Sequence, residues 1–370
     1  MKKSLLALAA LTAFAGAASA QSSVTLFGVV DMSARNVKNG AAGDVSSLST
    51  DGNASSRLGF RGVEDLGGGL RAGFWLEAGM DNSNGTIGGG NGGATSNAAG
   101  STGSAASGAF FNRRSTVSLL GGFGEIRLGR DYVPTFWNHT VFDVFGTNGV
   151  ASATNIVSAP AAPAVTPFPG GAQTLVRANN TIGYFLPSLG GLYGQVMVSA
   201  NEGQQPSNKY MGGRIGYGAG PINVAVAYGI TEKTNTVMLD DMKAWNIGAS
   251  YNAGFMTVMG QFNQYEEGAQ ELQNYSFGVM VPVGAGTIKA SYGESKRTLV
   301  SGAEPKATQI GLGYVYDLSK RTSVYAHYSQ IDNDAGLAYT AGTGGPSIAA
   351  PNAITGFKST GYEVGIRHSF

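Results

Sequence analysis

The sequence predicts an all-β fold: a transmembrane antiparallel β-barrel of about sixteen strands, with short periplasmic turns and long extracellular loops. Three observations carry that expectation. Segments along the whole chain alternate apolar and polar residues with a period of two, as strands do because successive side chains point to opposite faces. The links between them alternate between short and glycine-rich and long and polar, as in barrels of the outer-membrane type. No run of about 20 apolar residues follows the first segment, so helical membrane spans are excluded. A barrel hides its apolar surface in alternation and survives that test.

The chain starts with a segment to set aside. Lys2 and Lys3 precede an apolar run, 5–17, and Ala18-Ser19-Ala20 makes a cleavage site. Residues 1–20 therefore read as a secretory signal peptide, leaving 21–370 as one barrel domain. The stretch 24–35 then places Leu26, Gly28, Val30 and Met32 on one face, with Phe27, Asp31 and Arg35 on the other. The stretches 56–63 and 70–77 alternate in the same way, with Arg57, Arg61, Arg71 and Glu77 on their polar faces. Further strands are expected at 111–120, 125–130, 181–186, 192–200, 210–217, 222–231, 242–251, 255–265, 274–283, 287–296, 308–316 and 323–330. The last, 359–370, puts Tyr362, Val364, Ile366, His368 and Phe370 on one side. Links at 65–69, 121–124, 188–191, 218–221, 252–254, 284–286 and 317–320 read as hairpin turns. Those at 36–55, 81–108, 131–180, 201–209, 232–241, 266–273, 297–307 and 331–358 read as long loops. Phe27, Tyr132, Tyr184, Tyr228, Tyr251, Tyr265, Tyr328, Tyr362 and Phe370 fall near strand ends, where aromatics form interfacial girdles.

Composition narrows the function. The chain has 58 glycines and no cysteine, so a device other than disulfides holds this exported protein. Closure of the sheet supplies it, because in lipid every backbone N–H and C=O needs a partner. Without Lys2 and Lys3, 22 basic residues stand against 23 acidic ones, a net charge of −1. No global field directs such a protein to nucleic acid.

The motifs SSVTLFGVVDMS (22–33), SRLGFRGVEDLGGGLRAGFWLE (56–77), FGEIRLGRDY (123–132) and GYEVGIRHSF (361–370) together resemble a Gram-negative general-diffusion porin of the β-proteobacterial type. The resemblance covers essentially the whole mature chain. It implies a sixteen-stranded barrel in the outer-membrane lipid, a homotrimer, and a third long loop folded inward to narrow the pore. It also implies that the terminal Phe370 is read by the outer-membrane assembly machinery.

The same resemblance implies a basic wall cluster facing acids on the inward loop. By local motif the cluster is Arg57 in RLGF, Arg113 in FNRRSTVSL and Arg177 in VRANNTIGY. The inward loop is 131–180, with Asp131 at its base. It departs from the enterobacterial pattern: where that carries an acidic stretch, 133–146 reads VPTFWNHTVFDVFG, with Asp143 its only acid. That weakens the case for a cation-selective eyelet. Asp31, Arg61, Arg71, Glu77 and Arg130 are expected to line the lumen around this site, and the arginines could pair with Asp31 or Glu77. Arg114, of opposite parity to Arg113, is expected near a rim, because a midplane arginine facing lipid costs roughly 2–4 kcal/mol.

The histidines, His139, His327 and His368, lack a serine motif and an orienting group, so no catalysis is expected. No cofactor or metal is expected either; Asp240-Asp241 and Asp332-Asn333-Asp334 read as solvated loop charge. The leading function is passive diffusion of small hydrophilic solutes and ions through a water-filled lumen, with a modest anion preference. The alternatives are a ligand-selective channel using Phe136, Trp137, Phe142 and Phe145, and a barrel adhesin.

Overall fold

The computed structural model describes residues 23–88, 109–157, 175–200, 208–233, 240–342 and 354–370. The expected signal segment and residues 89–108 lie outside the described residues.

Strand β1 (Ser23–Asn39) opens the sheet and serves two neighbours along one edge. Its first part pairs with β3 (Arg57–Gly67) and its second with β2 (Asp44–Thr50), a short extra strand. An antiparallel meander follows: β4 (Leu70–Asp81), β6 (Arg114–Gly121), β7 (Gly124–Tyr132), β8 (Arg177–Phe185) and β9 (Leu192–Ser199). A two-residue strand, β5 (Thr86–Ile87), pairs only with β4. The meander continues through β10 (Asn208–Ala219), β11 (Ile222–Lys233), β12 (Met242–Asn252), β13 (Thr257–Glu267) and β14 (Gln270–Val283). It ends with β15 (Gly286–Thr298), β16 (Lys306–Asp317), β17 (Thr322–Asn333) and β18 (Lys358–Ser369). Strand β18 returns to β1, pairing Val29 with Ser369 through Asn39 with Ser359. Of the eighteen strands, β2 and β5 stand outside the ring, which leaves a closed barrel of sixteen. The sixteen strands expected from the sequence each correspond to one of these.

Closure is completed beyond the last strand. Gly28 N donates to Phe370 O and Phe370 N donates to Gly28 O, both at 3.1 Å. The Phe370 ring lies over Gly28 so closely that a Cβ there would sit 2.3 Å from Cζ. A glycine is required because the terminal aromatic occupies that space.

The barrel is inside out. Val364, Phe277 and Val196 face outward at 64, 59 and 58% exposure, while Asn246, Asn263 and Asn274 are enclosed in the interior. Apolar outside and polar inside is the arrangement of a lipid-embedded barrel. No helix among the described residues is long and apolar enough to cross a membrane.

Four expectations change. The link 266–273 is not a long loop: Glu267 pairs with Gln270 and the strands run on to a two-residue turn. Both faces are polar there, so the alternation that marks a strand fades although the ladder continues. Phe27, Tyr132 and Tyr265 do not belong to a girdle. Phe27 packs edge-on against Trp75 on the inner face, ring centroids 5.0 Å apart. Tyr265 is buried with Met242 and Leu272 against Val157 and Leu175 of the inward loop. Tyr132 lies at the site described next.

Candidate functional site

The described parts of the link between β7 and β8, residues 133–157 and 175–176, lie inside the barrel. The link begins with helix α1 (Pro134–Val141), which has proline at its first turn, where a missing N–H costs nothing. The helix lies along β10 to β13. Asn246 Nδ2 donates to Thr135 O at 2.8 Å, Gln261 Nε2 donates to His139 O at 3.2 Å, and Arg214 Nε donates to Asn138 Oδ1. His139 is enclosed, its Nδ1 3.2 Å from Asn263 Oδ1. Burial lowers its pKa below the ordinary histidine value, outweighing the nearby Asp143.

Beyond α1 the loop follows the wall from β12 towards β18 on a path of glycines. A Cβ on Gly248 would meet Phe142 at 2.1 Å, and one on Gly278 would meet Val144 at 2.2 Å. The wall is therefore bare where the loop seats. The loop tip is clamped by Glu363 of β18, whose Oε1 accepts from Val150 N at 3.0 Å. Arg35 holds the same carboxylate at 2.7 Å, with His327 Nδ1 at 3.3 Å and Ser33 Oγ at 3.2 Å.

The basic cluster faces this loop from β3, β8 and the residue preceding β6. Arg113 Nε donates to Glu77 Oε1 at 2.5 Å, and Glu77 also accepts from Trp75 Nε1 at 3.0 Å. Arg113 Nη2 and Arg177 Nη2 both donate to the Tyr132 hydroxyl, at 2.6 and 2.7 Å. The Arg177 guanidinium also stands 4.3 Å over the Tyr132 ring. Tyr132 in turn stacks on Phe136 of α1 at 5.7 Å and leans on Trp137 at 5.2 Å. Arg57, half-buried, projects from the start of β3 within electrostatic reach of Glu77. The structure thus brings Arg57, Arg113 and Arg177 together and adds Tyr132, which joins them to the loop.

The acids are engaged elsewhere. Asp131 is fully buried between Arg127, at 2.5 Å, and Arg114, at 3.5 Å. Asp143 accepts from the backbone N–H of Phe145, Thr147 and Ala153 at 3.0, 2.8 and 3.1 Å, so it folds the loop upon itself. Asp31 accepts from Gly52 N, Asn53 N and Ala54 N at 3.3, 3.0 and 2.7 Å, and from the Tyr325 hydroxyl. It makes none of the expected arginine pairs.

The remaining positions divide. Arg61 shares the inner face with Phe27 and Trp75, its guanidinium 5.4 and 5.2 Å from their rings. Arg71 lies opposite Asp65 in the ladder, exposed beside the short-turn rim. Arg130 sits at the bulge between Gly129 and Asp131, its guanidinium within electrostatic reach of Arg177 and Tyr132. That guanidinium donates to Asn112 O and Asn179 Oδ1. Arg114 is corrected. It pairs with Glu77 in the ladder, points inward and stands 4.6 Å over Trp75. Arg113 reaches the lumen too because it lies just outside β6, where alternation no longer governs it.

Sequence reasoning missed Tyr132 as the joint of the cluster and Arg35–Glu363 as the clamp of the loop. The second was partly visible, since both residues sit on polar faces of their strands. Their meeting depends on the closing register, in which Arg35 opposes Glu363.

A family profile described as Gram-negative porin matches residues 7–336. The chain belongs to the Gram-negative porin family. This porin is 39% identical over 384 residues to outer membrane porin protein 32 of Delftia acidovorans, all of both chains being covered. It is 27% identical over 436 residues, again covering both chains, to an outer membrane porin protein of Bordetella pertussis. Among solved structures it is similar to an anion-selective porin from Comamonas acidovorans. The TM-score is 0.77 at 34% identity, covering 95% of this chain and 100% of that one. The porin is accordingly a protein of the bacterial outer membrane.

Proposed function

We propose that this porin is a passive-diffusion channel for small hydrophilic solutes and ions that prefers anions. One observation carries the preference. Arg57, Arg113 and Arg177 converge on the space beside the inward loop, and the carboxylates near them are taken up by backbone N–H groups or by arginines. Glu77 stands within the cluster, where Arg113 holds it, and Asp51, within electrostatic reach of Arg113, accepts from Ser56 N. The anion selectivity stated of the Comamonas acidovorans porin supports the same reading.

The loop aromatics favour open diffusion over a dedicated ligand site. Phe142 and Phe145 are buried against the wall, and Phe136 and Trp137 pack on Tyr132. We assign no catalytic step, because His139 and His327 rest against Asn263 and Glu363 as packing groups. The reading includes removal of residues 1–20 on export, insertion into outer-membrane lipid as a homotrimer, and recognition of Phe370 by the assembly machinery. Reversal potentials of the purified protein in a planar bilayer across a salt gradient test the selectivity. A potential of the sign given by anion flow is expected, and a cation-selective channel would overturn the assignment.

A further inference from the structure

Residues 51–56 connect β2 to β3 and do not extend away from the barrel. Their backbone is gathered onto Asp31, a residue of the β1 inner face with no exposed surface. An ionised carboxylate offers about four acceptor sites. Asp31 fills four: Oδ1 with Gly52 N and the Tyr325 hydroxyl, Oδ2 with Asn53 N and Ala54 N. No acceptor site remains for a passing ion. The Asp31 main chain is tied to the same segment, its N–H donating to Ser56 Oγ at 3.1 Å. The segment is also shaped from within: Asp51 holds a left-handed φ of 66° while its Oδ1 accepts from Ser56 N at 2.6 Å. A non-glycine residue keeps that conformation when its surroundings over-determine it.

The segment has a definite place between two parts of the site. At one end Ser55 Oγ donates to Asn148 Oδ1 of the inward loop at 2.8 Å. Gly52 O lies so close to Gly149 that a Cβ on the latter would sit 2.2 Å away. At the other end the chain continues directly into Arg57. Asp51 also contributes a favourable electrostatic interaction to Arg113. Residues 51–56 therefore bridge the loop tip and the basic cluster at one level of the lumen.

We propose that residues 51–56 form a second constriction element, and that Asp31 is a positioning residue that sets the aperture through them. Asp31 thereby governs how large a solute passes, while the arginines govern which sign of charge passes. The proposal rests on the channel reading above.

The Asp31→Asn variant tests it. The amide presents N–H groups to backbone donors, so it cannot hold Gly52, Asn53 and Ala54 as the carboxylate does. Single-channel conductance should rise, and neutral polymers above the wild-type exclusion limit should enter. A variant with an unchanged exclusion limit and a raised anion-to-cation ratio would overturn the proposal, because Asp31 would then act as a lumen charge. A second measurement does not depend on that variant folding. The natural chain has no cysteine. Ser55→Cys combined with Asn148→Cys should be bridged in the folded barrel by a short bifunctional thiol reagent, giving a shifted mobility after denaturation. Absence of bridging in a barrel whose two thiols are shown to react singly would overturn the contact. An unaltered protein that carries no current would instead sink the channel reading, which keeps the two failures distinct.

Discussion

The Tyr132 hydroxyl accepts from Arg113 at 2.6 Å and from Arg177 at 2.7 Å. Two like charges are thereby held together on one neutral oxygen, and the same ring stacks on the helix of the inward loop. Wall charge and loop position are coupled through one side chain. Tyr132→Phe keeps the stacking and removes the acceptor. Hydrogen bonds to charged groups are worth about 1.5–3 kcal/mol each, so the two guanidinium groups should separate. The expected result is weaker anion preference with an intact barrel, read from reversal potentials and gel mobility of the same preparation. Unchanged selectivity would show that the arginines hold their positions without the phenol.

Neutralising the cluster should lower the preference in steps. A unit charge about 6 Å from a passing ion in water-like dielectric contributes roughly 0.7 kcal/mol, about a threefold bias. At 0.15 M salt the Debye length is about 8 Å, so the bias persists across a narrow aperture. Arg57→Gln and Arg177→Gln together should reduce the anion-to-cation ratio by about three- to tenfold. Arg113→Gln should also cost stability, because it strands the buried Glu77 carboxylate. Reversal potentials and melting of the two variants separate these effects.

Acid should loosen the loop through His139. Burial holds its docked pKa below the ordinary value of about 6.5. Between those two values a released loop binds a proton that the docked loop does not, so docking weakens as pH falls. The contribution is complete above pH ~6.5 and declines below it. Channel closures or current noise should increase between pH 7.5 and 5, and His139→Gln should flatten that increase. A wild-type trace with no change over this range would contradict the prediction.

Removing Phe370 should lower the amount of protein inserted in the outer membrane. The residue closes the barrel by two backbone hydrogen bonds to Gly28 and covers that glycine with its ring. Outer-membrane fractions of cells expressing the truncated chain would show the loss; normal levels would mean that closure and recognition tolerate a free end. In the variant Gly28→Ala the ring must shift while the terminus stays, so insertion near wild-type level there would assign the effect to the terminus itself.

The closed barrel should resist detergent at room temperature and unfold on boiling. Sixteen strands leave no free edge in the ring, so local opening has no starting point. Circular dichroism dominated by β structure and a heat-dependent gel shift are the expected signs.

Period-two alternation and the order of short and long links determined the strands of the barrel, because lipid and water impose opposite demands on alternate side chains over the whole span. The same rule failed where lipid no longer applies. The ladder runs through the polar stretch from Glu266 to Gln270, and Arg113, just outside β6, turns inward beside Arg114. The three arginines were legible from local motifs, but not the fate of their counter-charges. Asp31 and Asp143 look like pore acids in the sequence, yet backbone N–H groups from segments brought near by folding consume them. Glu363 meets Val150, 213 residues away, only because the last strand returns to the first. Alternation is a local property of the chain. Which donor reaches which carboxylate is set by closure of the sheet and by the path of the loops inside it, and those only the tertiary structure decided.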